Sequence, residues 1–406
     1  MYLDFAWRYF KGKKTANAIN IISWVTTGVI AFATCCQILV LSVFNGFEDM
    51  VKSLYSSFYP DLKVIPVKGK SFILTADQLS QIKQQQTVSG FSLIAEEKAM
   101  LKNEDAQAVV YIKGVDDNFA GISGVPGKII KGKFNTGNIY QPKLIIGVGI
   151  QNAVGIMLNE AFAPEQLIVI LPKKNVTSND PLQSLSEGYV SAGGVFAIQQ
   201  DFDNKYAITN IGFVKQQLGM AADEYSSLEL KLKYGADINK SRESLQALLG
   251  SNYRVQTKYE QNSNLYSTMK LEKWAIYAVL TLILIIAAFN MVSALTMLVL
   301  EKKQDIAILQ SMGSTAGQIK KIFLSEGFLL AGIGAATGIL LAVIICLLQI
   351  KFKLIKLKGG SFLIDYFPVK LIAADFLLVA GTSLAIALLA SWLPSSKAAR
   401  QPLELR

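Results

Sequence analysis

The sequence predicts a membrane protein: four transmembrane α-helices with a large α+β extracytoplasmic domain inserted between helices 1 and 2. Three observations carry this reading. Four windows lack Asp, Glu, Lys and Arg altogether, namely Thr15–Phe47, Trp274–Leu300, Gly327–Ile350 and Phe376–Ser396. Each is long enough to cross about 30 Å of hydrocarbon as a helix, which takes about 20 residues. The chain is 51% hydrophobic with mean hydropathy +0.36, high for a soluble protein and low for one made only of membrane helices. The net charge of +10 is also unevenly placed. Between Gly46 and Lys270, 23 basic side chains face 22 acidic ones, so the inserted domain is nearly neutral and nucleic acid is not expected as a partner.

The basic excess flanks the apolar windows: Arg8, Lys11, Lys13 and Lys14 before the first, Lys302, Lys303, Lys320 and Lys321 between the second and third, and Lys397, Arg400 and Arg406 after the last. Basic residues mark cytoplasmic flanks. The expected layout in a bacterial inner (plasma) membrane is therefore a cytoplasmic N-terminus (1–18), helix 1 (19–45), a periplasmic α+β domain (46–270), helix 2 (271–300), a cytoplasmic connector (301–321), helix 3 (322–350), a short periplasmic loop (351–371), helix 4 (372–394) and a cytoplasmic C-terminus (395–406). The loop 351–371 carries five lysines and disagrees with its assigned side. Parity of crossings, supported by the other flanks, is kept over that one loop.

Within the insert, strand-like runs occur at 61–67, 90–101, 108–115, 166–172 and 226–233, and helical periodicity at Val148–Leu158 and Ile238–Leu249. Polar loops are expected at 116–143 and 173–192, dividing the domain into parts for which two lobes are one arrangement. Residues 262–274 read as helix running unbroken into helix 2. Helix 3 is rich in small residues, with Gly334 and Gly338 at a spacing that lets membrane helices approach closely.

The chemistry left open is narrow. With no histidine, His-based catalysis is excluded, and no catalytic residue or metal site is expected. Cys35, Cys36 and Cys346 all lie in apolar windows, so no disulfide framework is implied. The apolar run of the first window continues past the cleavage-like Ala31-Phe-Ala33, favouring an uncleaved anchor. Val64–Ser71 ends in Gly-Lys-Ser but lacks the first glycine of a phosphate-binding loop, so no nucleotide or other cofactor is expected on this chain.

The connector is more patterned than a link between spans requires. Over Glu301–Met312, Ile306, Leu309 and Met312, with Ile308 beside them, form an apolar stripe, while Glu301, Lys302, Lys303 and Asp305 lie around it. Gly313 stands where a helix would end in the left-handed conformation. Thr315 and Gln318 form a capping box for the next helix. Two readings fit: a helix lying on the membrane surface, or a docking helix for a cytoplasmic partner that supplies energy.

The order of spans and insert, with EKKQDIAILQSMG between spans two and three, resembles the FtsX/MacB-type permeases of ABC transporters. The run from NLYSTMKLEKW through LILIIAAFNMVSALTMLVLEKKQDIAILQSMG is similar to the lipoprotein-releasing permeases, LolC/LolE type. FAWRYFKGKK, VLSVFNGFEDMV, FLIDYFPVKL and LPSSKAARQPLELR agree with it, whereas 60–255 matches only in outline, through KLIIGVGIQNAVGIML, LIVILP and SAGGVFAI. The resemblance implies a non-catalytic membrane subunit that works with a cytoplasmic ABC ATPase dimer, which uses the ATP, and with a second permease subunit, itself or a paralogue. It implies that lipoproteins are extracted and passed to a periplasmic lipoprotein carrier. Three acyl chains, at about 0.8 kcal/mol per CH₂, anchor such a protein by roughly 35 kcal/mol, so release needs an apolar cavity, a push and an acceptor. Phe44, Phe47, Met50, Leu265 and Met269, at the outer ends of spans one and two, are expected to border that cavity. The resemblance places a carrier-docking loop after LIVIL, at Pro172, Lys173, Lys174 and Pro181, where an ordinary solvated loop fits equally well. MacB-like efflux and an FtsX-like mechanotransmitting scaffold are the alternatives.

Overall fold

In the computed structural model, residues 17–158, 165–174, 184–357 and 366–400 are described. Among the described residues, four helices are long and apolar enough to cross a membrane: span helices 1 (Asn17–Phe58), 2 (Ser263–Glu301), 3 (Ala316–Phe352) and 4 (Ala373–Ala399). The chain divides into two compact units, one holding the spans and the other Val51–Tyr266.

In the span unit, glycine sets how closely the helices approach. A Cβ on Gly338 would lie 2.3 Å from the Ala31 carbonyl oxygen, and one on Gly334 2.9 Å from that of Thr27. The small-residue pair of the sequence is thus the seam between span helices 3 and 1. Gly332 faces open space and is not part of it. Gly338→Leu should lower the melting temperature of the detergent-solubilised chain, since overpacking costs roughly 1–3 kcal/mol or more. Gly332→Ala should melt like the parent, and equal melting of both variants would remove the seam.

The lysine-rich segment is a folded connector. Gln349 donates through Nε2 to the carbonyls of Ile355 (3.1 Å) and Phe367 (3.2 Å) and accepts from the Ile355 N–H (2.9 Å). Lys353, in the left-handed conformation that closes span helix 3, lies 4.1 Å from the Tyr366 ring centre. Lys370 pairs with Asp49. At least two of the five lysines are therefore used in packing, which weakens them as a guide to sidedness. Lys358 lies outside the described residues.

The inserted domain is built on a 10-stranded sheet of β1 (Leu62–Pro66), β3 (Val88–Asn103), β4 (Ala106–Val115), β5 (Ile129–Gly132), β6 (Lys143–Gly147), β7 (Gln166–Pro172), β8 (Leu185–Phe196), β9 (Tyr206–Asn210), β11 (Ser227–Leu232) and β12 (Tyr253–Thr257). β2 (Phe72–Ile73) and β10 (Glu224–Tyr225) form a separate pair. The order is β12-β1-β11-β3-β4-β9-β6-β8-β5, with β7 joining β3 to β8. Only β4 with β9 and β6 with β8 run parallel among the described pairs. β3 is the spine: its first half pairs with β11 and its second with β4 and β7. One apolar core gathers Leu62, Val64, Leu228 and Leu230 on the β11 side of the spine; another gathers Ile112, Leu144, Val169 and Val195 on the β4 side. Two lobes thus share one strand.

All five expected strands form. The helix expected over Val148–Leu158 stops at Val154, because Gly155 takes the left-handed C-cap. The expected loops are corrected in part. Residues 116–143 include a helical turn (Phe119–Ile122) and β5, and β8 occupies 185–192. Gly188, Gly193 and Gly194 weaken the strand signal of β8. Backbone contact explains the last of them, since a Cβ on Gly194 would lie 2.8 Å from the Lys133 carbonyl oxygen.

Candidate functional site

The connector after span helix 2 folds as helix, stop, helix. A short helix, Lys303–Ser311, follows Glu301 almost without interruption. Lys302 N–H still donates to the Leu298 carbonyl (2.9 Å), and Ile306 N–H to that of Lys302 (2.9 Å). Gly313, at φ +92°, ends it. Thr315 then caps span helix 3: its N–H donates to Gln318 Oε1 (2.8 Å), and its hydroxyl accepts from the Gln318 N–H (3.4 Å). The short helix is therefore joined to the 39-residue span helix 2 on one side and, through Gly313, to the 37-residue span helix 3 on the other.

The apolar stripe is corrected. Ile306 is buried, packed with Leu298, Ile319 and Phe323 in the span core, so it is not on a docking face. Ile308 (57%) and Met312 (78%) are exposed, and Leu309 is half-buried. The spacing of three drifts by about 60° per step around a helix, so Ile306 and Met312 cannot share a face, whereas Ile308 and Met312, one turn apart, do. Glu301 and Lys303 are exposed beside them, and Lys302 bridges Asp305 at 3.2 Å.

Of the residues expected to border a lipid cavity, Phe44, Phe47, Met50 and Met269 lie in the span unit and are half-buried. Phe47 packs edge-on against Phe367 at 5.8 Å. Leu265 belongs to the other unit, where it lines a cleft of about 650 Å³ with Tyr55, Tyr59, Tyr111, Phe202 and Tyr206. The strand and helix patterns do not reveal this cleft; its one signal in the sequence is YSSFYP at the end of an apolar helix. The Tyr55 hydroxyl donates to Asp201 Oδ2 (2.6 Å). That bond, with Lys205 alongside, holds the Asp201 carboxyl below its usual range, while burial pushes Tyr59 up to about 12.

The loop after β7 is only partly available. Pro172 and Lys173 are exposed. Lys174, however, is paired with Glu224, contacts Ser71 Oγ at 3.2 Å, and donates its N–H to the Leu218 carbonyl at 2.9 Å. Burial alone would raise Glu224, but hydrogen bonds from Lys174, Ser71 and the Ala221 N–H hold it below its usual range. Lys174 is thus not a free docking cation. Pro181 lies outside the described residues.

Residues 277–403, from span helix 2 onward, match the FtsX-like permease C-terminal family. That match takes in most of span helix 2, the helical connector and span helices 3 and 4. The likeness to the lipoprotein-releasing type runs the length of the chain. The lipoprotein-releasing system transmembrane protein LolC of Neisseria meningitidis serogroup B is 26% identical over 98% of this chain and 96% of its own length. The corresponding LolE of Haemophilus influenzae is 25% identical, over 98% and 97%. The solved periplasmic region of MacB from Actinobacillus actinomycetemcomitans covers 55% of this chain and 98% of its own, at 10% identity and a TM-score of 0.38.

Proposed function

We propose that this chain is the transmembrane permease subunit of an ABC transporter that extracts lipoproteins from the inner membrane and passes them to a periplasmic carrier. A separate cytoplasmic ATPase dimer drives it, and a second permease subunit, itself or a paralogue, completes the complex. The observation that carries this reading is the likeness to lipoprotein-releasing transmembrane proteins over 98% of the chain. The connector and both termini are cytoplasmic in this reading, and the inserted domain is periplasmic. The ATPase engages the exposed face of Ile308 and Met312, and ATPase closure travels along span helices 2 and 3.

The test is reconstitution in liposomes with the ATPase that co-purifies, a triacylated lipoprotein and a soluble periplasmic carrier. ATP should move the lipoprotein from the vesicles to the carrier. ATP-driven export of peptides or drugs, with the lipoprotein left in the bilayer, would replace this reading with efflux.

A further inference from the structure

Span helix 2 is packed unevenly. Its buried side chains run from Leu284 to Val299, and none between Ser263 and Ile283 is buried. What the first half turns toward span helix 1 is a polar row, Lys273, Tyr277 and Thr281, spaced one helical turn apart. Lys273 Nζ donates to Asn45 Oδ1 (2.9 Å) and pairs with Asp375 (3.1 Å), and Asn45 Nδ2 donates to Asp375 Oδ2 (2.6 Å). This closed ring joins span helices 1, 2 and 4. Farther along, Gln37 Nε2 donates to Thr281 Oγ1 (3.2 Å).

Between these contacts the fit is poor. Tyr277 packs beside Ile38 and Leu41, but its hydroxyl is buried without a hydrogen-bond partner, as is Gln37 Oε1. Buried polar atoms left unpaired are costly, and native structures keep few of them without a reason. Apolar residues here would have packed as stably as the charged ring, since desolvation offsets most of a buried ion pair's attraction. A seam held by one satisfied polar ring, beside two unsatisfied groups, is suited to parting.

We propose that Lys273, through Asn45 and Asp375, is a latch on a gate between span helices 1 and 2. The well-packed half of span helix 2, from Leu284 onward, is the fixed part, and the half before it swings. Lys273 is a positioning residue: it sets whether the seam is closed. Resting on the function proposed above, the opened seam admits the acyl chains of a lipoprotein. The unpaired Gln37 and Tyr277 groups then meet the polar linkage at the head of the lipid.

The experiment uses the full chain with its ATPase in lipid nanodiscs. The native cysteines are replaced by alanine, and spin labels are placed at Val40→Cys and Leu271→Cys, both partly or largely exposed. Lys273→Met alone removes the cation and leaves Asp375 charged, with the Asn45 amide donating to it. The ratio of long to short label distances should rise by roughly tenfold, the population change expected when one good charge-assisted contact is lost. The reversed pair, Lys273→Asp with Asp375→Lys, should return the short distance. An unchanged distance in Lys273→Met, or a reversed pair as open as that variant, overturns the latch. Two distance populations in a complex that releases no lipoprotein would leave the latch standing and sink the transport reading instead.

Discussion

Lys113→Met is expected to destabilise the inserted domain by about 3–5 kcal/mol, the range for breaking a buried pair by removing one partner. For a domain of this size that is a melting shift of roughly 10 °C. Lys113 is 1% exposed on β4, and its Nζ donates to both carboxylate oxygens of Glu229 on β11, at 2.8 and 3.0 Å. The Phe58 and Phe119 rings lie 4.8 and 4.9 Å from the same ammonium. Two strands on either side of the β3 spine are joined by this one pair, and Phe58 is the last residue of span helix 1. Methionine fills the space but leaves Glu229 charged and unpaired among aromatic rings. Lys113→Met with Glu229→Leu should recover most of the loss, because the pair's own desolvation cost vanishes with it. Thermal melts of the full chain, followed by near-ultraviolet circular dichroism, read both variants. A single variant that melts within about 2 °C of the parent would mean that water reaches Glu229 and that the pair is not buried.

What could be read from the sequence, and what could not, divides along the range of the interaction. The spans were legible because one local property, the absence of charge over about 20 residues, decides them. The connector's stop and capping box were legible because Gly313, Thr315 and Gln318 act on their nearest neighbours. The phase of its stripe was misjudged, because residues three apart look aligned over one step and diverge over two. Lys113 and Glu229 were not legible as a pair: they are 116 residues apart, and each sits in a run that reads as an ordinary strand. Lys273 likewise reads as a basic flank of a span, and only the fold brings Asn45 and Asp375 to it.

The same correction of phase decides how the connector should be tested. Ile308→Asp with Met312→Asp is expected to abolish association with the ATPase, or to lower transport to background, while the permease still inserts and folds. Both side chains are exposed in this chain, so two carboxylates there cost its own packing little. In a partner's groove they would be desolvated without a cation, and truncating an anchor residue of this kind alone costs roughly 2–4 kcal/mol. Ile306→Asp should instead disrupt the span bundle, because it buries a charge beside Phe323, and its loss of function would say nothing about docking. Lys303→Ala should be mild, slowing association and weakening its salt dependence, as rim charges do. Co-purification with the ATPase in mild detergent, alongside a thermal melt of the permease alone, separates these outcomes. If the Ile308 and Met312 double variant kept both ATPase binding and transport, the exposed pair would be a membrane-surface contact. The push would then have to enter elsewhere, because Ile306 is committed to the core and Leu309 is only half exposed.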